Sequence, residues 1–273
     1  MTKLKRNERI AAMVKILGDH PNHIFTLNYF TEKFNAAKST ISEDIVVVKG
    51  AMEKMDLGKI KTISGAAGGV KYIPITGAKK SQQILQNICE KMNSSHRILP
   101  GGFLYMTDII YHPQTIHNLG ELFATQFNYE NVDAIITVET KGIPLALMVA
   151  KAMNLPLVIL RRDNKVTEGS TVSINYISGS SDKISRMSLS RRALKPGARV
   201  IIIDDFMKAG GTAKGMIDMM KEFEVEVEGI GVLIATKEPR KKLVDEYVPL
   251  LILEDIGESQ GKIDVVPNPI IIE

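Results

Sequence analysis

Cysteine is nearly absent from this 273-residue chain. Cys89 stands alone, so no internal disulfide can form. Such usage fits a reducing, cytoplasmic setting. Long hydrophobic runs are missing as well. The most apolar stretch, Gly142 to Leu160, is interrupted by Pro144, Lys151, Asn154 and Pro156, so no bilayer-spanning helix and no membrane partner are expected. The basic start, Met1 to Arg9, has no apolar core behind it, and no secretory leader is expected. There are no internal repeats, and low complexity is confined to a glycine–alanine patch at Ser64 to Gly69. What remains is 44% hydrophobic and 24% charged, ordinary for a globular protein. The length suggests about two domains.

The net charge of +4 is unevenly spread. Residues 1–76 hold twelve basic and seven acidic residues, a net of +5, against −1 for the remaining 197. A basic first quarter suits a module that faces nucleic acid. By charge alone, a mildly basic surface domain accounts for it equally well.

The order of elements in that quarter says more. Asn7 can cap a helix running to about Leu17, with Ile10, Met13, Val14 and Leu17 on one face. Gly18 and Pro21 end it. Thr26 caps a short helix, Leu27 to Phe34, and Asn35-Ala36-Ala37 is a tight connection. A third helix runs from Lys38-Ser39 to about Met55, with Ile41, Ile45, Val48, Met52 and Met55 as its apolar stripe. That is a helix-turn-helix. Lys59 to Ile63 alternates as a strand, and Val70 to Ile73 returns from the flexible tip, closed by Pro74. A hairpin directly after a helix-turn-helix is the winged-helix order. In such a domain the start of the third helix meets the major groove, here with Lys38, Ser39, Thr40 and Ser42. Lys3, Lys5, Arg6 and Arg9, with Lys59, Lys61 and Lys71 on the wing, are the expected phosphate contacts. Glu43 and Asp44 suit the helix dipole but repel phosphate, so they are expected to face away from the DNA backbone or toward a dimer partner.

Gly77 to Ser81 reads as a linker, and a helix follows from Gln82 to about Asn93. Beyond it, strands alternate with helices. Ile116 to Phe127 reads as a helix, Val132 to Val138 as a strand, Pro144 to Met153 as a helix and Leu157 to Leu160 as a strand. Arg161 to Tyr176 is long, polar and charged. Arg199 to Asp204, Gly229 to Ala235 and Leu250 to Leu253 are further strands, and Ala213 to Phe223 is a helix. The alternation implies a mostly parallel sheet covered on both faces.

One window concentrates the chemistry. Val200-Ile201-Ile202-Ile203 makes a buried strand, and Asp204-Asp205 follow at its end. Phe206, Met207, Lys208, Ala209, Gly210, Gly211 and Thr212 then lead into a helix. Loop N–H groups and a helix N-terminus attract phosphate, while carboxylates at a strand end accept from ribose hydroxyls. A second strand-to-helix loop, Val138 to Pro144, carries Thr140, Lys141 and Gly142. A plain connection with a surface lysine is equally consistent with that loop alone.

The Asp204-to-Thr212 window resembles the loop that binds 5-phosphoribosyl-1-pyrophosphate (PRPP) in the type I phosphoribosyltransferase family. The resemblance implies that the Thr140-Lys141-Gly142 loop receives pyrophosphate. It also implies that Arg161 to Ser173 is the family's mobile loop, with Arg162 and Lys165 as pyrophosphate contacts. Upstream, Arg97 to Pro100 and Phe103-Leu104-Tyr105 are similar to the base-binding hood segment of xanthine and adenine phosphoribosyltransferases. Joined to the winged helix, the chain resembles the purine operon repressor family of Gram-positive bacteria. The resemblance rests on the Ala36-to-Ile45 helix, the Gly65-to-Pro74 wing, the Lys165-to-Ser180 region and the Asp204-to-Gly211 loop. It implies an α/β protein: a winged-helix DNA-binding domain over 1–76, and a type I phosphoribosyltransferase-like effector domain over 77–273 with a mostly parallel sheet. One departure stands out. Many catalytic members carry Thr-Gly where this chain has Ala209-Gly210, which removes a hydroxyl from the 5′-phosphate site.

The expected function is therefore a repressor of purine biosynthesis genes. It binds an operator in double-stranded DNA, as a homodimer, and PRPP lowers its DNA affinity. PRPP is bound without transfer and brings Mg²⁺ with it; no other cofactor or metal site is expected. Purine nucleotides or (p)ppGpp are candidate competitors in the same pocket. The alternatives are an active purine phosphoribosyltransferase with a regulatory N-terminal domain, and a winged helix used for protein contacts.

Overall fold

A computed structural model describes residues 4–65, 68–99, 103–163, 169–177, 184–257 and 262–272. The chain divides into two compact units, Met1–Gly77 with Lys151–Asn154, and Ala78–Ala150 with Leu155–Glu273.

In the first unit, α1 (Arg6–Asp19) starts one residue before Asn7. Lys5 takes the cap position instead, and its backbone N–H donates to Glu8 Oε2 at 2.7 Å. Helix α2 (Leu27–Phe34) begins at Thr26 as its sequence predicts, with Thr26 Oγ1 accepting from the Tyr29 N–H. A left-handed Asn35 ends it and turns the chain into α3 (Lys38–Lys54). Ile41, Ile45, Val48 and Met52 of α3 pack with Met13, Leu17, Phe30 and Phe34 in one core. Met55 does not join that stripe. The helix stops before it, and the side chain is 69% exposed. Strands β1 (Lys59–Ile63) and β2 (Gly69–Ile73) form the antiparallel wing. Phe25 adds a third rung, exchanging both backbone hydrogen bonds with Val70. A Cβ at Gly69 would collide with the Phe25 carbonyl, so glycine lets the rung close.

In the second unit, α4 (Ala78–Met92) begins inside the span that reads as a linker, and Ser81 is buried. Two short strands, β3 (Ile98–Leu99) and β4 (Phe103–Leu104), pair with each other. Helices α5 (Thr107–Ile110) and α6 (Pro113–Ala124) lead into β5 (Ala134–Val138), α7 (Gly142–Met153) and β6 (Leu157–Leu160). The polar stretch that reads as one loop instead contains β7 (Thr171–Ile177), which pairs antiparallel with β8 (Ile184–Ser190). Then come β9 (Arg199–Met207), α8 (Gly211–Glu222), β10 (Glu226–Thr236), β11 (Val248–Gly257), β12 (Lys262–Pro267) and α9 (Pro269–Ile272).

The main sheet has the order β12-β11-β10-β9-β5-β6. It is parallel except for β12, an antiparallel edge strand that the hydrophobic pattern does not reveal. Val200 to Ile203 lie at its centre with no exposed surface, each contributing about 1.5–3 kcal/mol of burial. The β7–β8 hairpin covers α8, where a Cβ at Gly215 would strike Tyr176 and Met187. These parallel strands bring β5 and β9 side by side, so their carboxyl-end loops open on one crevice.

Candidate functional site

A cavity of about 430 Å³ lies at the carboxyl ends of β5 and β9. Strand β9 extends through the acid pair, which leaves Asp204 only 4% exposed and Asp205 partly exposed. Asp204 Oδ1 accepts from the Asp205 N–H at 3.0 Å. Burial pushes the Asp204 carboxyl well above the usual range, and the neighbouring Asp205 charge adds to it. Burial also raises Asp205, against the opposing pull of Lys141 and Arg162. Two desolvated acids facing two cations across a cavity suit a ligand that is both polyhydroxylated and anionic.

Another wall of the cavity is built from the β9–α8 loop. Gly210 caps α8 in the left-handed region at φ 83°, leaving the first-turn N–H groups of the helix free of side-chain caps. Lys208, Gly210, Gly211 and Thr212 line the cavity. Behind the loop, the Leu243 N–H donates to the Ala209 carbonyl at 2.9 Å. Thr236 Oγ1 contacts the Lys208 carbonyl, and the buried Lys242 ammonium donates to the Thr236 carbonyl at 2.7 Å. Nothing in the local pattern around Lys242 signals this bracing role.

The structure brings most of the sequence-predicted residues together. Thr140, Lys141, Arg162, Phe206 and Met207 share the cavity with the acid pair. Ala209 and Gly142 do not line it. Ala209 faces the Leu243 segment through its carbonyl. Gly142 packs the start of α7 so closely that a Cβ would strike Thr137 Oγ1 and come within 3.4 Å of Asp204 Oδ1. Lys165 lies outside the described residues. Four lining residues lie outside the predicted site, Phe103, Val138, Glu139 and Ala213, of which Phe103 falls in the segment likened to the base-binding hood. Glu139 Oε1 accepts from the Arg162 N–H at 2.6 Å and its other oxygen pairs with Arg161, fixing that strand end over the cavity. Phe103, 55% exposed, offers an aromatic face at the rim.

Among the described residues no cluster of three metal-ligating side chains occurs. A divalent ion therefore fits only if ligand phosphates supply much of its coordination, alongside one or two carboxylates, as Mg²⁺ prefers. Among the described residues no helix is long and apolar enough to cross a membrane.

The winged-helix face needs one correction. Arg9 is not a surface contact. Its side chain is 8% exposed, and Nε donates to the buried Asp44 Oδ2 at 2.7 Å. Asp44 points inward, toward neither DNA backbone nor partner, because α3 turns it onto α1. Arg6 also reaches Asp44, at 3.3 Å, but remains 58% exposed. Lys5, Lys38, Ser39 and Ser42 are exposed and Thr40 partly so; Ser42 Oγ donates to the Lys38 carbonyl. Lys3 lies outside the described residues. On the wing, Lys61 stands directly opposite Lys71, with Lys59 two residues along on the same face. Like charges so placed repel each other.

The first unit is thus a helix-turn-helix with a cationic wing, and the second an α/β domain with a crevice at the carboxyl ends of β5 and β9. Residues 5–74 match the bacterial purine repressor N-terminal family, and residues 106–267 match the phosphoribosyl transferase domain family. The purine biosynthesis transcriptional repressor PurR of Bacillus subtilis is 46% identical over 263 residues, covering 96% of this chain and 92% of its own. The purine biosynthesis transcriptional activator PurR of Lactococcus lactis subsp. lactis is 39% identical over 262 residues, covering 96% and 97%. Among solved structures, adenine phosphoribosyltransferase from Rhodothermus marinus aligns with a TM-score of 0.53 at 22% identity, over 63% of this chain and 99% of that one. That last likeness shows the fold alone. The class is a winged helix fused to a phosphoribosyltransferase fold. Within it, the chain belongs to the PurR family of purine biosynthesis transcriptional regulators.

Proposed function

We propose that the chain is a DNA-binding repressor of purine biosynthesis genes whose α/β domain binds PRPP as an effector. The observation that carries the reading is the cavity: a desolvated acid pair on one wall, and a left-handed glycine, free helix N–H groups and Lys208 on another. Asp204 and Asp205 accept from the ribose 2′- and 3′-hydroxyls. The Lys208-to-Thr212 loop holds the 5′-phosphate, and Lys141 and Arg162 neutralise pyrophosphate. Asp204 and Asp205 are the carboxylates that would hold Mg²⁺ brought by the ligand, which would offset phosphate charge there. Repression follows the more similar Bacillus relative rather than the Lactococcus activator. Acting on DNA places the chain inside the cell, and reading two half-sites calls for a homodimer.

PRPP binding lowers DNA affinity, and by linkage DNA weakens PRPP binding by the same factor, typically about 1–3 kcal/mol. A gel shift on the promoters of purine genes, with and without PRPP and Mg²⁺, tests this. PRPP releases the wild type, whereas Asp204→Ala stays bound. Release of that variant at the wild-type PRPP concentration overturns the assignment. Purine nucleotides or (p)ppGpp entering the same cavity compete with PRPP in that assay. A transferase reading draws on one observation, the Phe103 ring at the rim, which can stack a purine base. Nucleotide formed from PRPP and a purine above background establishes it.

A further inference from the structure

The recognition helix presents an unusual outward face. Its buried stripe is Ile41, Asp44, Ile45, Val48 and Met52. Turned away from that stripe stand Ser39, Glu43, Val46, Val47 and Gly50. This face carries no Lys, Arg, Asn or Gln over about three turns. Val46 is 69% exposed and Val47 41%. β-Branched residues are poor helix formers, and neither of these belongs to the core of the unit. Gly50 gives up about 1 kcal/mol relative to Ala in a helix interior. A Cβ there would meet nothing within 4 Å, so internal packing does not require glycine. Three neighbouring positions therefore sacrifice helix stability on one face. Glu43 has Ser39 and Val47 four residues to either side, so no cation within the helix pairs with it.

Cations flank this face, whose only charge between Ser39 and Gly50 is Glu43. Lys38 stands exposed at its start and Lys54 at its end, and the wing of the same unit carries Lys59, Lys61 and Lys71. A centre free of cations between basic ends suits a DNA groove, where base edges lie between two phosphate rows. A second copy of the chain fits less well. A symmetric contact there would bring two unpaired Glu43 carboxylates together. Resting on the DNA-binding reading above, we infer that α3 reads operator bases through Val46 and Val47 packed on thymine methyl groups, with Glu43 accepting from a cytosine amino group. These are the pairings that major-groove chemistry allows for such side chains.

The test uses the full chain and duplexes selected by it from a randomised pool. Each thymidine of the selected site is replaced singly by deoxyuridine, which deletes only the 5-methyl group. At one or two positions affinity falls about 4-fold, the loss expected for one buried methyl-sized group. In Val46→Ser or Val47→Ser that deoxyuridine penalty disappears at the matching position. Both residues are exposed, so the variants fold. The salt dependence of binding is the same as in wild type, since no phosphate contact is lost. A fresh selection with Glu43→Gln exchanges cytosine for adenine at one position. Indifference to deoxyuridine at every position, with salt-dependent DNA binding intact, sinks the inference but leaves the repressor reading standing. So does a change in sedimentation on Val46→Ser, which marks the face as a contact between copies. If wild type selects no sequence at all, the DNA-binding reading itself fails.

Discussion

Arg9→Met breaks the buried ion pair that ties α1 to α3. The pair is nearly dry, with side chains 8% and 1% exposed, and Arg9 also donates to the Leu4 carbonyl. Removing one partner of such a pair costs about 3–5 kcal/mol, because the remaining charge stays buried. Arg6, 3.3 Å from Asp44 Oδ1, offsets part of this, so the low end applies. A loss of about 3 kcal/mol is a large share of the about 5–15 kcal/mol that holds a domain together. It accelerates native-state amide exchange in α3 about 100-fold, at about 1.4 kcal/mol per decade. Hydrogen-exchange mass spectrometry of α3 peptides reads this directly. Operator affinity falls as well, yet its salt slope holds, because Arg9 touches no phosphate. Arg9→Met/Asp44→Leu recovers most of the protection, since no charge is then stranded. Exchange within about threefold of wild type in Arg9→Met refutes the reasoning, at a scale where about 1.4 kcal/mol is tenfold.

Three further outcomes follow from the second unit. Burial raises the Asp204 carboxyl, so the native state binds more protons than the unfolded chain, and stability falls as pH rises from about 3.9 through the raised value. Asp204→Asn removes its own share of that slope, leaving the part due to Asp205, and stabilises the free protein by about 0.5–2 kcal/mol at neutral pH in denaturant titration, while abolishing the response to PRPP. Gly210→Ala forces a side chain into the left-handed region 3.3 Å from the Leu243 nitrogen; it costs about 1–2 kcal/mol and shrinks the thermal shift given by PRPP. The Cys89 thiol is pushed up to about 12, first by burial and then by Asp264 and Glu90, so it resists a thiol reagent at pH about 8 until the chain unfolds.

Much of the fold is legible because local rules agree with it. Thr26 caps α2, the 41-45-48-52 stripe is the core face of α3, and four aliphatics before an acid pair make β9. The misses share a cause. β7 alternates polar and apolar from Thr171 to Tyr176, and β8 does so from Met187 to Ser190, but each adjoins polar, charged sequence and packs on α8, a partner distant in sequence, so both read as loop. β12 is short and takes its place through pairing with β11 and through Asn93, which exchanges two hydrogen bonds with Val265. Arg9 reads as a free surface cation because its partner lies 35 residues away. Lys242 and Glu139 likewise act through contacts that no local spacing encodes.

The facing lysines of the wing make salt a two-sided variable. In the free protein, added electrolyte shields Lys61 from Lys71 and firms the hairpin. Were those lysines to contact operator phosphates, the same electrolyte would compete for them. Ionic conditions that best preserve this small hairpin would then be those in which it grips nucleic acid least.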